Sequence, residues 1–260
     1  MANFKAPFLD TIAQVALALE SHKSLNEIFE SMVYIVPEPY GYLPIGKNRL
    51  TIYYVGPIFW KGFASYVPSR FEKIKPTGKT LYLTFGGTGL NGEKLVELSN
   101  LLLDRDFQVV VSSSTVIAAT AFPNRRNLYV SKYLPGAAIC QRVDAVVCHG
   151  GYGTMMQSFL ADKPVITLPF NPDQSLHSWR FQELGLGKCV IGLNLSFVKA
   201  DWHVFRETAS KVQATRIVDS VDSVLLERDK YVRAIGQFKK NLSTTEGSER
   251  AADIIEQVTP

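Results

Sequence analysis

Cys148-His149-Gly150-Gly151-Tyr152-Gly153-Thr154 reads as the end of a buried strand, a glycine turn that carries a histidine, and the opening of a helix. Asp173-Gln174 follows nineteen residues after Thr154, beyond the next β-rich run. Gly150, Gly151 and Gly153 let backbone N–H groups approach a bound anion closely. Thr154 opens the helix, where its hydroxyl and the helix dipole favour negative charge. A diphosphate in such a turn becomes more negative as a group departs from it, so fixed donors would favour the transition state over the ground state. A carboxylate beside an amide one loop further along suits neighbouring sugar hydroxyls. The stretch therefore points to a nucleotide-sugar site. A lone His-Gly-Gly could equally be a strand-to-helix turn with a core histidine, and Asp173 alone could be a helix N-cap; the register between the two motifs favours the site.

Outward from this stretch the chain alternates. Short β-rich runs occur at Thr80–Phe85, Phe107–Ser112, Asn127–Ser131, Asp144–Cys148, Pro164–Pro169 and Lys188–Ile191. Most gaps between them hold helix-like segments or turn signals, as βαβ units require. Leu95, Leu98 and Leu102 recur at helical spacing, which gives one face to a sheet. Val109-Val110-Val111 and Ala145-Val146-Val147 are continuously apolar, as strands covered on both faces should be. The expected fold is α/β, a doubly wound, Rossmann-like parallel sheet with helical flanks. His149 then falls at a strand's carboxyl end, where such sheets bind ligands. Ala6–Ser31 is helical in pattern and Val33–Val36 resembles a short strand, after which Pro37, Pro39, Gly41, Pro44 and Gly46 break regular structure. The segment from about Asp201 reads as three helices, the last near Ser248–Val258.

Composition narrows the function. The 260 residues are 46% hydrophobic and 20% charged, with a net charge of +4, ordinary for a globular protein and without a basic-aromatic cluster that would suggest nucleic acid. Cys140, Cys148 and Cys189 lack metal spacing and lie in apolar runs, so buried free thiols in a reducing compartment are expected. No apolar run is long enough for a membrane span, and Asp10 and Gln14 interrupt the apolar N-terminal stretch. A cytoplasmic protein is expected.

Other motifs are weaker. Phe85-Gly86-Gly87-Thr88-Gly89 gives a second glycine loop on the same rim, but the run to Gly92 lacks dinucleotide-fingerprint spacing. Asp104-Arg105-Asp106 lies between a helix and a strand at the opposite edge of the sheet, so it reads as a solvated turn rather than a metal site. His177, four residues after Asp173, can share that helix face. His22 and His203 have no readable role. No Ser-His-Asp, Cys-His or paired-carboxylate arrangement is present, so no residue is assigned as a catalytic base.

These residues together resemble the C-terminal, donor-binding half of the family 1 GT-B glycosyltransferases, the group of UDP-glucosyl, sterol and macrolide transferases. The likeness rests on Tyr54-Val55-Gly56-Pro57, Thr84–Gly89, Tyr133-Leu134-Pro135, Asp144–Thr154, Ala161–Pro164 and Pro172-Asp173-Gln174, and covers about four fifths of the chain. It implies that residues 1–55 are a remnant of the acceptor domain, 56–78 a linker, 79–245 the nucleotide-sugar domain and 246–260 a C-terminal helix. It implies transfer of a hexose from a UDP-sugar to a hydroxyl acceptor with inversion, without metal or other cofactor. His149, Gly150, Gly151, Gly153, Thr154, Gly87 and Thr88 would hold the diphosphate. Tyr133, Leu134 and Gln157 would hold the base and ribose, and Asp173 and Gln174 the sugar. Gln157 stands where many members have glutamate and Gly136 where plant members have glutamine. The family's base lies in the N-terminal domain, so a non-catalytic nucleotide-sugar-binding subunit, or a truncated product that needs a separate acceptor-domain partner, is the alternative the resemblance leaves open.

Overall fold

The computed structural model describes residues 27, 30–43, 50–59, 67–86, 92–114, 117–191, 202–242 and 246–258. The chain divides into two units, one of residues 1–58 with 243–260 and one of residues 59–242.

In the first unit β1 (Val33–Val36) pairs in parallel with β2 (Thr51–Tyr54), Val33 opposite Thr51. β1 matches the sequence reading. β2 was not foreseen, although Thr-Ile-Tyr-Tyr is β-branched and aromatic throughout, because the preceding prolines and glycines read as continuing loop. The helix expected over Ala6–Ser31 lies almost wholly outside the described residues.

The second unit is built on β3 (Thr80–Thr84), β4 (Gln108–Ser112), β5 (Leu128–Ser131), β6 (Ala145–Cys148), β7 (Val165–Thr167) and β8 (Gly187–Cys189). All pair in parallel, in the order β5-β4-β3-β6-β7-β8. The six expected runs are these six strands. Their connections carry, in chain order, α1 (Ser69–Glu72), which leads into β3, then α2 (Gly92–Leu103), α3 (Gly136–Cys140), α4 (Tyr152–Leu160) and α5 (Pro172–Glu183). Side chains alternate across each strand. Leu81, Leu83, Val109, Val111, Ala145, Val147 and Ile166 enter one core with Leu95, Leu98 and Leu102 of α2. Each of these leucines, at most 1% exposed, contributes roughly 2 kcal/mol of apolar burial.

After β8 come α6 (Trp202–Lys211), α7 (Ala214–Leu226) and α8 (Arg228–Phe238), and in the first unit α9 (Gly247–Val258). The C-terminal segment thus holds four α-helices among the described residues rather than three. The missed break falls at Glu227, which leaves helical geometry (φ −101°, ψ 19°) with neither glycine nor proline to mark it. Ile217, Val218, Val221 and Val224 of α7 complete the core beside α2.

The amino edge of the sheet is pinned by one carboxylate. Asp144, 2% exposed, accepts from the Thr77 amide at 3.0 Å and the Thr80 amide at 2.9 Å. These charge-assisted bonds fix the chain as it enters β3. Asp104 pairs with Arg125 at 2.8 Å, and Arg105 with Asp222. The Asp104–Asp106 turn is an ion-paired surface corner.

Candidate functional site

Strand order reverses between β3 and β6, the first and fourth strands of this sheet. The carboxyl edge beside such a reversal is where open α/β sheets form a crevice for ligands. Gly86 after β3 has φ +59° and Gly150 after β6 has φ +84°, both in the left-handed region that favours glycine. His149 lies between them. A Cβ on Gly86 would come 3.3 Å from His149 Cε1, and one on Gly151 only 2.6 Å from Nε2. The imidazole is thus wedged between the two glycine turns. Nδ1 is buried with no hydrogen-bond partner among the described residues. Burial pushes the His149 pKa below its ordinary value, opposed by the Thr84 backbone and the Asp173 charge. The imidazole is held at the sheet edge where an anion would enter. Burial pushes the Cys140 and Cys148 thiols up to about 12, which leaves them protonated and unreactive.

The turn's three glycines have different physical reasons. A Cβ on Gly150 would lie 2.4 Å from Ser178 Oγ and 2.8 Å from the Gln174 carbonyl, and its N–H donates to Cys148 Sγ at 3.5 Å. Gly150 therefore serves the packing of the turn on α5. Gly151, the α4 N-cap, makes room for the imidazole. Gly153 alone has nothing within 4 Å of its Cβ position and borders open space. The helix begins at Tyr152, so Thr154 is its third residue rather than its first. The first intrahelical acceptor is used by Met155, whose N–H donates to the Gly151 carbonyl. The Gly153 and Thr154 amides precede that bond and have no intrahelical acceptor, and no side chain caps the helix. An anion is the natural partner. Gly87 and Thr88, expected on the facing loop, lie outside the described residues.

Asp173 and Gln174 open α5 at the same edge, but neither is its N-cap. Asn171 takes that place, its side chain accepting from the Gln174 amide at 2.8 Å, with Pro172 as the first helical residue. Gln174 is 4% exposed, and its Oε1 accepts from the Phe170 amide at 2.8 Å. Half of its carboxamide is thus committed to holding the loop. Asp173 projects outward, with a side chain 74% exposed. Its pKa is lowered chiefly by His177, which lies one helical turn on with Nε2 3.5 Å from Oδ1, and further by His149.

Tyr133 follows β5 with 64% of its surface exposed, and Lys132 Nζ lies 5.5 Å from its ring centroid. Leu134 beside it is half-buried. Gln157, one turn beyond Thr154 on α4, reaches Gly136, where a Cβ would meet Gln157 Oε1 at 2.2 Å. The two positions at which the sequence departs from the family pattern thus touch, the missing side chain at 136 leaving the room that the Gln157 carboxamide fills. The sequence reading missed a recess of about 330 Å³ lined by Ser113, Ser114, Ile117, Ala118, Ala119 and Lys132, at the ends of β4 and β5. A sequence signal was present: Ser112-Ser113-Ser114 ends an apolar strand with small polar residues at the ligand-binding edge.

Comparisons with known proteins bear on this arrangement. No family model matches the chain. It is 34% identical over 140 residues to a PGL/p-HBAD biosynthesis glycosyltransferase of Mycobacterium tuberculosis, a match over 52% of this chain and 30% of that protein. It is 24% identical over 241 residues to the NDP-glycosyltransferase YjiC of Bacillus licheniformis, covering 90% of this chain and 55% of the relative. Among solved structures, the calicheamicin glycosyltransferase CalG4 superposes with a TM-score of 0.71 at 16% identity, over 100% of this chain and 61% of that one. The spinosyn forosaminyltransferase SpnP gives 0.70 at 15%, over 99% and 63%. The fold is that of the GT-B glycosyltransferases. This GT-B chain corresponds to their C-terminal half, and it spans 30% and 55% of the length of the two curated relatives.

Proposed function

We propose that the chain is the donor-binding half of a glycosyltransferase that moves a hexose from a UDP-sugar to a hydroxyl of an apolar acceptor, with inversion. The observation that carries this reading is the His149 imidazole wedged between the Gly86 and Gly151 turns at the strand-order reversal, beside the uncapped start of α4. The Gly153 and Thr154 amides and the imidazole would hold the diphosphate and stabilise the charge that grows on it as the glycosidic bond breaks. Tyr133 would stack the base, the Ser113–Lys132 recess would receive its edge, and Gln157, between platform and cradle, would meet the ribose. Asp173 would grip sugar hydroxyls, with the free half of the Gln174 carboxamide beside it. These donors are N–H groups and an imidazole, a set suited to diphosphate without a metal. Among the described residues no three His, Cys, Asp or Glu side chains group as metal ligands, and no helix is long and apolar enough to cross a membrane. We place the protein in the cytoplasm on the buried free thiols.

Transfer would also need an acceptor half and a catalytic base, and none of the residues of this site is assigned as that base. Calorimetry with UDP and UDP-glucose tests the donor reading. His149→Ala is expected to weaken both ligands alike and Asp173→Ala only UDP-glucose; equal losses for both ligands in both variants would refute this division. UDP-glucose binding without transfer, once an acceptor half is supplied, would make the chain a nucleotide-sugar-binding subunit.

A further inference from the structure

His177 is 6% exposed, at a place in α5 where an aliphatic side chain would fill the space without a polar atom to satisfy. A buried imidazole is costly unless its nitrogens find partners. One partner is Asp173, at the i−4 position of the same helix, with Nε2 3.5 Å from Oδ1, at the long end of a hydrogen bond. The ring also packs on Tyr152, the first residue of α4, with centroids 5.1 Å apart and planes tilted by 47°. His177 therefore touches both helices that frame the crevice, α4 with its amides and α5 with its carboxylate. Asp173 contrasts with it. Its side chain is 74% exposed, and a free carboxylate of that kind loses rotamer freedom when it grips a ligand.

From this contrast we infer that His177 is a positioning residue, which holds the Asp173 carboxylate toward the sugar and ties that orientation to the α4 turn through Tyr152. The inference rests on Asp173 as the group that grips the sugar. His177 acts through the exposed Asp173 carboxylate, which it holds from behind. A donor that holds the carboxylate before binding removes part of its ordering cost, about 0.5–1.5 kcal/mol for one side chain, or up to roughly tenfold in affinity.

The test uses the full chain, with UDP and UDP-glucose as calorimetric probes. In His177→Ala the affinity for UDP should stay within about twofold, while the advantage of UDP-glucose over UDP falls roughly tenfold. His177→Gln, which keeps an N–H donor, should recover most of that advantage. His177→Leu keeps the buried volume without the donor and should behave as the alanine variant; it serves if alanine prevents folding. The double variant Asp173→Ala/His177→Ala should be no worse than Asp173→Ala, because one residue acts through the other. Equal losses for UDP and UDP-glucose, an additive double variant, or wild-type affinity of His177→Leu for UDP-glucose would each overturn the inference. A wild-type protein that binds UDP-glucose no better than UDP would instead remove the sugar-gripping role of Asp173, and this inference with it.

Discussion

Gly153→Ala should make the protein more stable and a poorer nucleotide binder. Gly153 is the second residue of α4, in ordinary helical backbone, and nothing lies within 4 Å of a Cβ placed there. Replacing a compatible glycine by alanine reduces the freedom of the unfolded chain and stabilises by about 0.4–1 kcal/mol, or a rise of roughly 1–4 °C in melting temperature for a domain of this size. The methyl group would occupy the space in front of the α4 amides, where a phosphate oxygen would sit, and a loss of at least about tenfold in UDP affinity is expected, some 1.4 kcal/mol. Gly150→Ala is the control with the opposite cause. Its φ of +84° costs roughly 1–2 kcal/mol with a Cβ, and the approach to Ser178 and the Gln174 carbonyl adds about 1–3 kcal/mol of overpacking. That variant should lose several degrees in melting temperature. Thermal melts and calorimetry with UDP on both variants read the two effects separately. A Gly153→Ala protein that is stabilised and binds UDP as the wild type does would refute the cradle, because the phosphate would then lie elsewhere.

Three further outcomes are expected. Tyr133→Ala should weaken UDP by about 1–3 kcal/mol, the value of a lost base–aromatic stack, with an unchanged melting temperature because the ring is mostly exposed; an unchanged affinity measured by calorimetry would remove the platform. Because burial holds the folded His149 pKa below 6.5, the unfolded chain protonates first, so this histidine's contribution to stability is complete above about pH 6.5 and is lost as pH falls through the depressed folded value. A bound diphosphate would raise that pKa, so UDP binding just below pH 6.5 should take up a proton, read from the buffer dependence of the calorimetric enthalpy and absent in His149→Gln. Asp144→Ala strands the Thr77 and Thr80 amides and should cost about 1–3 kcal/mol for each buried amide, read by urea unfolding, while UDP affinity of the folded protein stays unchanged because the residue lies at the sheet edge opposite the crevice.

How much of the site could be read before folding depended on the kind of constraint each residue carries. Glycines at sharp turns, the histidine at a strand end and the polar pair after the next strand stand at fixed offsets in the chain, so spacing alone placed His149, Asp173 and Gln174 on one edge. What each glycine is for was not legible. Gly150 answers to Ser178 and Gln174 on a different helix, Gly151 to its neighbour's ring and Gly153 to open space, and only coordinates separate these causes. The contact of Gln157 with Gly136 and that of His177 with Tyr152 join residues with no shared periodicity. The extra C-terminal helix was missed for a local reason, since Glu227 carries no breaker signal.

Local pattern was enough to set the parallel α/β architecture and the strand ends at which chemistry belongs. Apolar runs covered on both faces and helical leucine spacing are local demands of burial, and the chain must meet them wherever its elements go. The strand order, with β3 beside β6, was decided only in three dimensions. That adjacency brings the Gly86 loop against His149 across more than sixty residues of chain, and it follows from how the helices cover the sheet rather than from any neighbouring residue. Which side chains face the crevice was decided in the same way: burial took one half of Gln174 into the loop and left Asp173 outside, because Asn171 rather than Asp173 satisfies the α5 amides.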